Sequence, residues 1–165
     1  MLGVASLLLL GGCAARPATS QAPDWPIAPP ARPTAPDLST PEATVRSYLA
    51  WTAYAYRTGV SEVASSTMSD DESVRVDSYV ELNKEQGRTI DQQLISIKFW
   101  AASHEGTHTV VPAHEVWRYR YLKPDGSAAL SPVYTIRYDT TYTVVPDGGR
   151  FVVDRVDAKP LGAVK

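Results

Sequence analysis

The sequence predicts an α+β domain in which N-terminal helices pack on a curved, four-stranded antiparallel sheet. Three observations carry that prediction. Apolar residues recur at helical spacing from Val45 to Val80. After Gly87 the period switches to two. Glycine-bearing turns, "KPDG" and "PDGG", then divide the second half into strands. Helices first and strands afterwards is the pattern of an α+β layout.

In "STPEATVRSYLAWTAYAYRTG", Thr40 suits an N-cap, Pro41 the first helical position, and Glu42 the positive end of the helix dipole. Val45, Tyr48, Leu49, Thr52 and Tyr56 form one stripe, and Gly59 ends it. A further helical turn is expected within residues 60–68. The second helix opens with "SDDE", where Ser69 and Glu72 have capping-box spacing. The acidic run reads as helix capping rather than metal binding, because no loop of EF-hand spacing follows. Val76, Tyr79 and Val80 make a thin apolar stripe, and Gly87 is the natural stop.

Four strands follow. In "LISIKFWAA", Ile95, Ile97, Phe99 and Ala101 alternate onto one face. "THTVVPAHEVWRYRYL" sets Trp117, Tyr119 and Tyr121 on one face and Arg118 and Arg120 on the other. "VYTIRYDTTYTVV" does the same with Tyr134, Ile136, Tyr138, Tyr142 and Val144, and "RFVVDRVDA" closes the sheet. Aromatic and β-branched residues dominate, as a half-buried antiparallel sheet requires. Asp139 shares a face with Arg137, which predicts a cross-strand ion pair. The aromatic face of Trp117, Tyr119, Tyr121, Tyr134, Tyr138 and Tyr142 reads first as the side packed under the helices. Its second reading is a concave pocket or docking face, since Tyr and Trp join apolar area to a polar handle.

The stretch "HEGTH", His104 to His108, has the letters of a zinc-peptidase motif. That chemistry needs a helix, so that two histidines share one face beside a glutamate base. Gly106, the β-branched run behind it and Pro112 all oppose a helix here. No third ligand follows at the expected spacing. The stretch therefore reads as a polar loop between strands. There is no phosphate loop and no nucleophile elbow. No catalytic, cofactor-binding or metal-ligating residue is assigned, and no cofactor is expected.

Ahead of the domain the composition changes. A net charge of −2 gives no footprint for nucleic acid. Cys13 is the only cysteine, so neither an internal disulfide nor a CxxC redox site can form. It follows the apolar run "MLGVASLLLLGG", which has the length of a signal-peptide core rather than of a membrane span. "LLGGCA" resembles a bacterial lipobox, with Leu10 at −3 and Gly11 and Gly12 before Cys13. That resemblance implies residues 1–12 as a cleaved signal and Cys13 as the lipid attachment point, carrying palmitate-type acyl chains. No Lys or Arg precedes the apolar run, a departure from the signal pattern that leaves open whether translation starts upstream of Met1. Ala14 in place of an aspartate points to the outer membrane where there is one. Residues 13–37 follow as a tether, with seven prolines between Pro17 and Pro36. Proline lacks a backbone donor and favours extended structure, so a free spacer is expected. The domain is expected over residues 38–158, with 159–165 as a tail.

"TPEATVRSYLAW", "EVWRYRYLKPDG", "YTIRYDTTYTVV" and "GGRFVVDRVDA" together resemble the NTF2-like superfamily. Within it they look most like the ARC6-type, IMS-like domains of bacterial lipoproteins and cell-envelope proteins. The resemblance covers residues 38–158. It implies a cone of helices wrapped by a curved sheet, often with a pocket. Some members are cyclases or isomerases that use an Asp or His in that pocket; many are adaptors. No catalytic position carries over. The expected function is a non-catalytic, membrane-anchored envelope lipoprotein that binds a protein partner or a small hydrophobic ligand. The alternatives are a pocket enzyme, with His114 and Asp139 the first residues to inspect, or a structural part of a secretion or conjugation complex.

Overall fold

Thr40 accepts the backbone N–H of Ala43 through its hydroxyl, Pro41 takes the first helical position, and α1 runs Pro41–Thr58. Gly59 ends it with φ +69°, a left-handed conformation that costs a glycine little. A 3-10 segment, Ser61–Thr67, leads into α2, Asp70–Glu85. The strands are β1 Thr89–Phe99, β2 Ser103–Glu105, β3 His108–Leu122, β4 Tyr134–Asp147 and β5 Arg150–Ala163. These elements belong to a computed structural model that describes residues 25–163. Cys13, the lipobox and the leader lie outside the described residues.

The sheet is antiparallel in the order β1-β3-β4-β5, with β2 paired only to β3. It has five strands where the sequence pattern predicts four. The fifth comes from "HEGTH". Gly106, at φ +64°, lets the chain turn between Glu105 and His108, which pair directly. Only a glycine adopts that conformation cheaply, so the expected loop becomes a tight hairpin. His104 pairs with Thr109 and Glu105 with His108, so the two histidines project from opposite faces of the ribbon. They cannot share one metal as helical i, i+4 neighbours would. Among the described residues no cluster of three potential metal ligands occurs.

The core lies between α1 and the inner sheet face. Val45, Val111, Val144 and Val153 are fully buried there with Ala55. Each such valine contributes roughly 1.5 kcal/mol or more by leaving water. The bridge from Met68 to Val153, and the Ser69 N–H donated to the Val153 carbonyl at 2.9 Å, fix the start of α2 on β5. Ser69 caps α2 by accepting the Glu72 N–H at 3.3 Å. The reciprocal half of the predicted capping box is missing. The Glu72 side chain turns inward instead, where it accepts the Tyr48 hydroxyl at 2.7 Å.

Three further expectations differ from the fold. The register slips between Leu94 and Ser96, so Ile95 sits in a bulge and is exposed, while Leu94 pairs with Trp117 and packs against the core. A bulge inserts one residue and shifts the phase of everything on one side of it. The last strand does not stop at Ala158. It pairs with β4 as far as Ala163, and its Pro160 is tolerated because β5 is an edge. Asp139 pairs with His114, Oδ1 to Nδ1 at 2.9 Å, rather than with Arg137. The two are direct cross-strand partners, whereas Arg137 sits two residues away on the same strand.

The largest difference concerns the proline-rich segment. Residues 25–37 contain no helix or strand, as the prolines require. They do not hang free, however. Trp25 lies under the guanidinium groups of Arg118 and Arg120, 4.5 and 4.4 Å from its ring centre. Arg120 also donates to the carbonyls of Trp25 and Pro26. Trp51 donates its indole N–H to the Thr34 carbonyl at 3.2 Å, and Ser47 exchanges hydrogen bonds with the Asp37 backbone. The arginine face of β3, opposite the aromatic one, is thus the seat of a strap.

Candidate functional site

Between α1 and the inner face of β3 and β4 lies a cavity of about 290 Å³. Helical spacing delivers Tyr48, Leu49, Thr52 and Tyr56 to its roof, one stripe of α1. Alternation delivers Glu115, Trp117 and Tyr119 from β3, and Ile136, Tyr138, Thr140 and Tyr142 from β4. Tyr79 of α2 and Gln92 of β1 complete the mouth. No Lys or Arg lines it.

The floor is polar and buried. Glu115 is 3 % exposed. Its Oε2 accepts the Trp117 indole N–H at 2.6 Å, and its Oε1 accepts the Tyr142 hydroxyl. Trp117 can only donate, so Oε2 accepts from it, and Oε1 accepts from the Tyr142 hydroxyl. Among the described residues Glu115 takes part in no salt bridge, unlike Glu72, which holds Arg75 at 2.9 Å. Beside it, the buried hydroxyl of Thr140 has no hydrogen-bond partner. Such atoms are rare, because leaving one unpaired costs about 1–3 kcal/mol.

The phenols record this environment. Burial pushes Tyr142 far above its ordinary range, and the neighbouring Glu115 charge pushes it further. Thr140 lies close enough to oppose that rise, though at no geometry that makes a hydrogen bond. Tyr48 is likewise raised by burial first, then by Tyr56 and Glu72. Tyr56 and Tyr138 are raised chiefly by burial. All four stay neutral well beyond physiological pH.

Of the six aromatic residues singled out by alternation, Trp117, Tyr119, Tyr138 and Tyr142 line this cavity. Tyr121 and Tyr134 do not. Tyr121 is stacked by Arg88 at 3.7 Å, and Tyr134 is 42 % exposed. Both touch Tyr119, Tyr121 in a T-shaped contact and Tyr134 tilted, so they extend an aromatic strip past the mouth. His114 and Asp139 lie on the opposite face of the sheet from Glu115, partly exposed, and do not line the cavity. Sequence reasoning passed over Glu115, Thr140, Tyr48, Tyr56 and Tyr79. Glu115 was within reach, since it stands in phase with Trp117 and Tyr119.

A second cavity, about 490 Å³, lies between the strap and the α1–β1 edge. Its charges are already engaged: Asp91 sits between Arg120 at 2.8 Å and Arg57 at 3.5 Å. It is the seam under the strap.

The fold is that of an α+β domain with helices against an antiparallel open sheet. No family model matches the chain, and no curated protein matches it. Solved structures do. The chain is similar to the crystal structure of the intermembrane space region of chloroplast protein ARC6, with a TM-score of 0.55 and 17 % identity, over 75 % of this chain and 97 % of that one. It is also similar to a periplasmic fragment of TraM, with a TM-score of 0.49 and 11 % identity, over 72 % of this chain and 94 % of that one. The ARC6 likeness establishes a shared fold. No helix among the described residues is long and apolar enough to cross a membrane.

Proposed function

We propose that this chain is a non-catalytic binding domain of the cell envelope, NTF2-like in kind, held at a membrane by acyl chains on Cys13. The observation that carries the binding role is the aromatic cavity with a polar, partly unpartnered floor: Glu115 without a cation and Thr140 without a partner. Pockets for small ligands combine apolar walls with a few convergent polar groups in this way. The envelope location is supported by the lipobox resemblance of "LLGGCA" and by the fold shared with an intermembrane space region.

Binding is tested with the neutral fluorescent probe N-phenyl-1-naphthylamine on the full chain. Saturable enhancement that Ala158→Phe abolishes is expected, because Ala158 lines the cavity and the added ring fills it. Enhancement that survives the substitution would place the probe elsewhere and count against the reading. Anchoring is tested by mass spectrometry of mature protein. A diacylated Cys13 is expected, and an unmodified thiol would remove that part.

A second reading is a structural part of an envelope assembly, favoured by apolar side chains such as Val74, Leu82 and Leu130 that stand exposed. Co-purification from detergent-solubilised envelope separates the two, since a lone chain argues against the assembly.

A further inference from the structure

We infer that the cavity takes a small organic cation, a quaternary or alkylated ammonium group, with Glu115 as its counter-charge; this rests on the cavity being the binding site. Four features point to a cation rather than a neutral ligand or an anion. First, Glu115 is a buried acidic side chain that forms no ion pair among the described residues. Burying an unpaired charge is costly, and a cationic ligand would remove that cost. Second, the wall around it is aromatic. Tyr48, Tyr138, Tyr142 and Trp117 line one space, and an aromatic ring face attracts a cation by its quadrupole. Third, no Lys or Arg lines the space, so nothing inside competes for the carboxylate and an anion would meet only repulsion. Fourth, the N–H and O–H donors at Glu115 hold its oxygens in place without neutralising them, while Thr140 keeps a hydroxyl free for a polar tail. At about 290 Å³ the space suits a metabolite-sized guest rather than a lipid chain or a peptide.

The alkyl groups of such a cation suit this site better than a primary amine does. A primary ammonium needs hydrogen-bond acceptors on all three protons. The cavity supplies one carboxylate, and two of its phenols are already committed, Tyr142 to Glu115 and Tyr48 to Glu72. Methylated ammonium needs none and gains from every ring.

The experiment titrates full chain with choline and, separately, with 3,3-dimethyl-1-butanol, its uncharged isostere, by calorimetry. Choline is expected to bind at least about tenfold tighter. Glu115→Gln is expected to abolish that preference and leave the alcohol's affinity unchanged. The substitution should fold, because an amide oxygen can accept from Trp117 while the amide nitrogen donates to the Tyr142 oxygen. Tyr138→Leu, at a half-buried position, keeps the carboxylate and should weaken choline several-fold with little effect on the alcohol. Equal affinities, or a tighter alcohol, would overturn the cation assignment and leave the cavity as a binding site. Binding of neither, with the naphthylamine probe also excluded from the cavity, would overturn both readings.

Discussion

The phenol of Tyr142 donates to the carboxylate of Glu115 in the lining of the cavity, adding a side-chain link to the backbone ladder between β4 and β3. Both residues are almost fully buried. The bond therefore belongs to the fold as much as to the site. Glu115→Ala strands two buried donors, Tyr142 and Trp117, and is expected to lower stability by about 3 kcal/mol. Tyr142→Phe removes one of the two donors to a buried carboxylate and should cost about 2 kcal/mol. Urea denaturation of each variant checks this; midpoints equal to the parent's would mean the network is not formed.

The buried phenols make stability sensitive to alkali. Tyr48, Tyr56 and Tyr142 are all raised by burial above the unfolded value of about 10. A raised phenol favours the folded state while both forms are neutral. As pH climbs past about 10 the unfolded chain ionises and the folded one does not, so that stability is lost. The expected result is a denaturation midpoint that changes little between about pH 7 and about pH 10 and declines steeply above it. Tyrosinate absorbance should rise in two stages, the second coinciding with unfolding. A single stage in the folded protein would contradict the burial.

Two glycines with the same backbone conformation should respond differently to alanine. Gly106 and Gly126 have φ of +64° and +70°. Nothing lies within 4 Å of an added Cβ at Gly106, whereas at Gly126 it would meet Arg57 Nη1 at 2.5 Å. Gly106→Ala should cost only the backbone term, about 1 kcal/mol. Gly126→Ala should cost more, because it also displaces Arg57 from Asp91. Denaturation of the two variants side by side measures the difference, and equal losses would argue against the Arg57 contact.

The strap depends on Trp25. Trp25→Ala removes two cation–π contacts and should lower stability by about 1 kcal/mol. Limited proteolysis should then cut within residues 25–37 at protease levels that leave the parent intact. Unchanged cleavage would mean that the segment is held by other contacts.

How far these features could be read in advance differs by element. The caps Thr40 and Gly59, the stripe of α1 and the long strands follow from local spacing, and local spacing is what a sequence displays. The position of Ile95 does not follow from alternation because a bulge depends on the partner strand as well as on the strand that carries it. The strap reads as a spacer because proline content reports backbone shape and says nothing of what the backbone rests on. Arg118 and Arg120 were visible on the outer face, but not that Trp25 would return to them. At the site, alternation grouped Trp117, Tyr119, Tyr138 and Tyr142, while the roof from α1 and α2 required tertiary structure. Glu115 shared their phase and was overlooked beside louder letters at His104 and His108.

The most direct test of the binding site is the indole N–H of Trp117, whose partner is Glu115 Oε2. The chain has four tryptophans, so their indole signals in a nitrogen–proton correlation spectrum are separable. Trp51, bonded to the Thr34 carbonyl beneath the strap, serves as the internal reference. Titration with choline is predicted to move the Trp117 signal saturably and leave that of Trp51 in place. A Trp117 signal that stays fixed while choline binds, or while Trp25 or Trp100 moves instead, would contradict the cavity as the site.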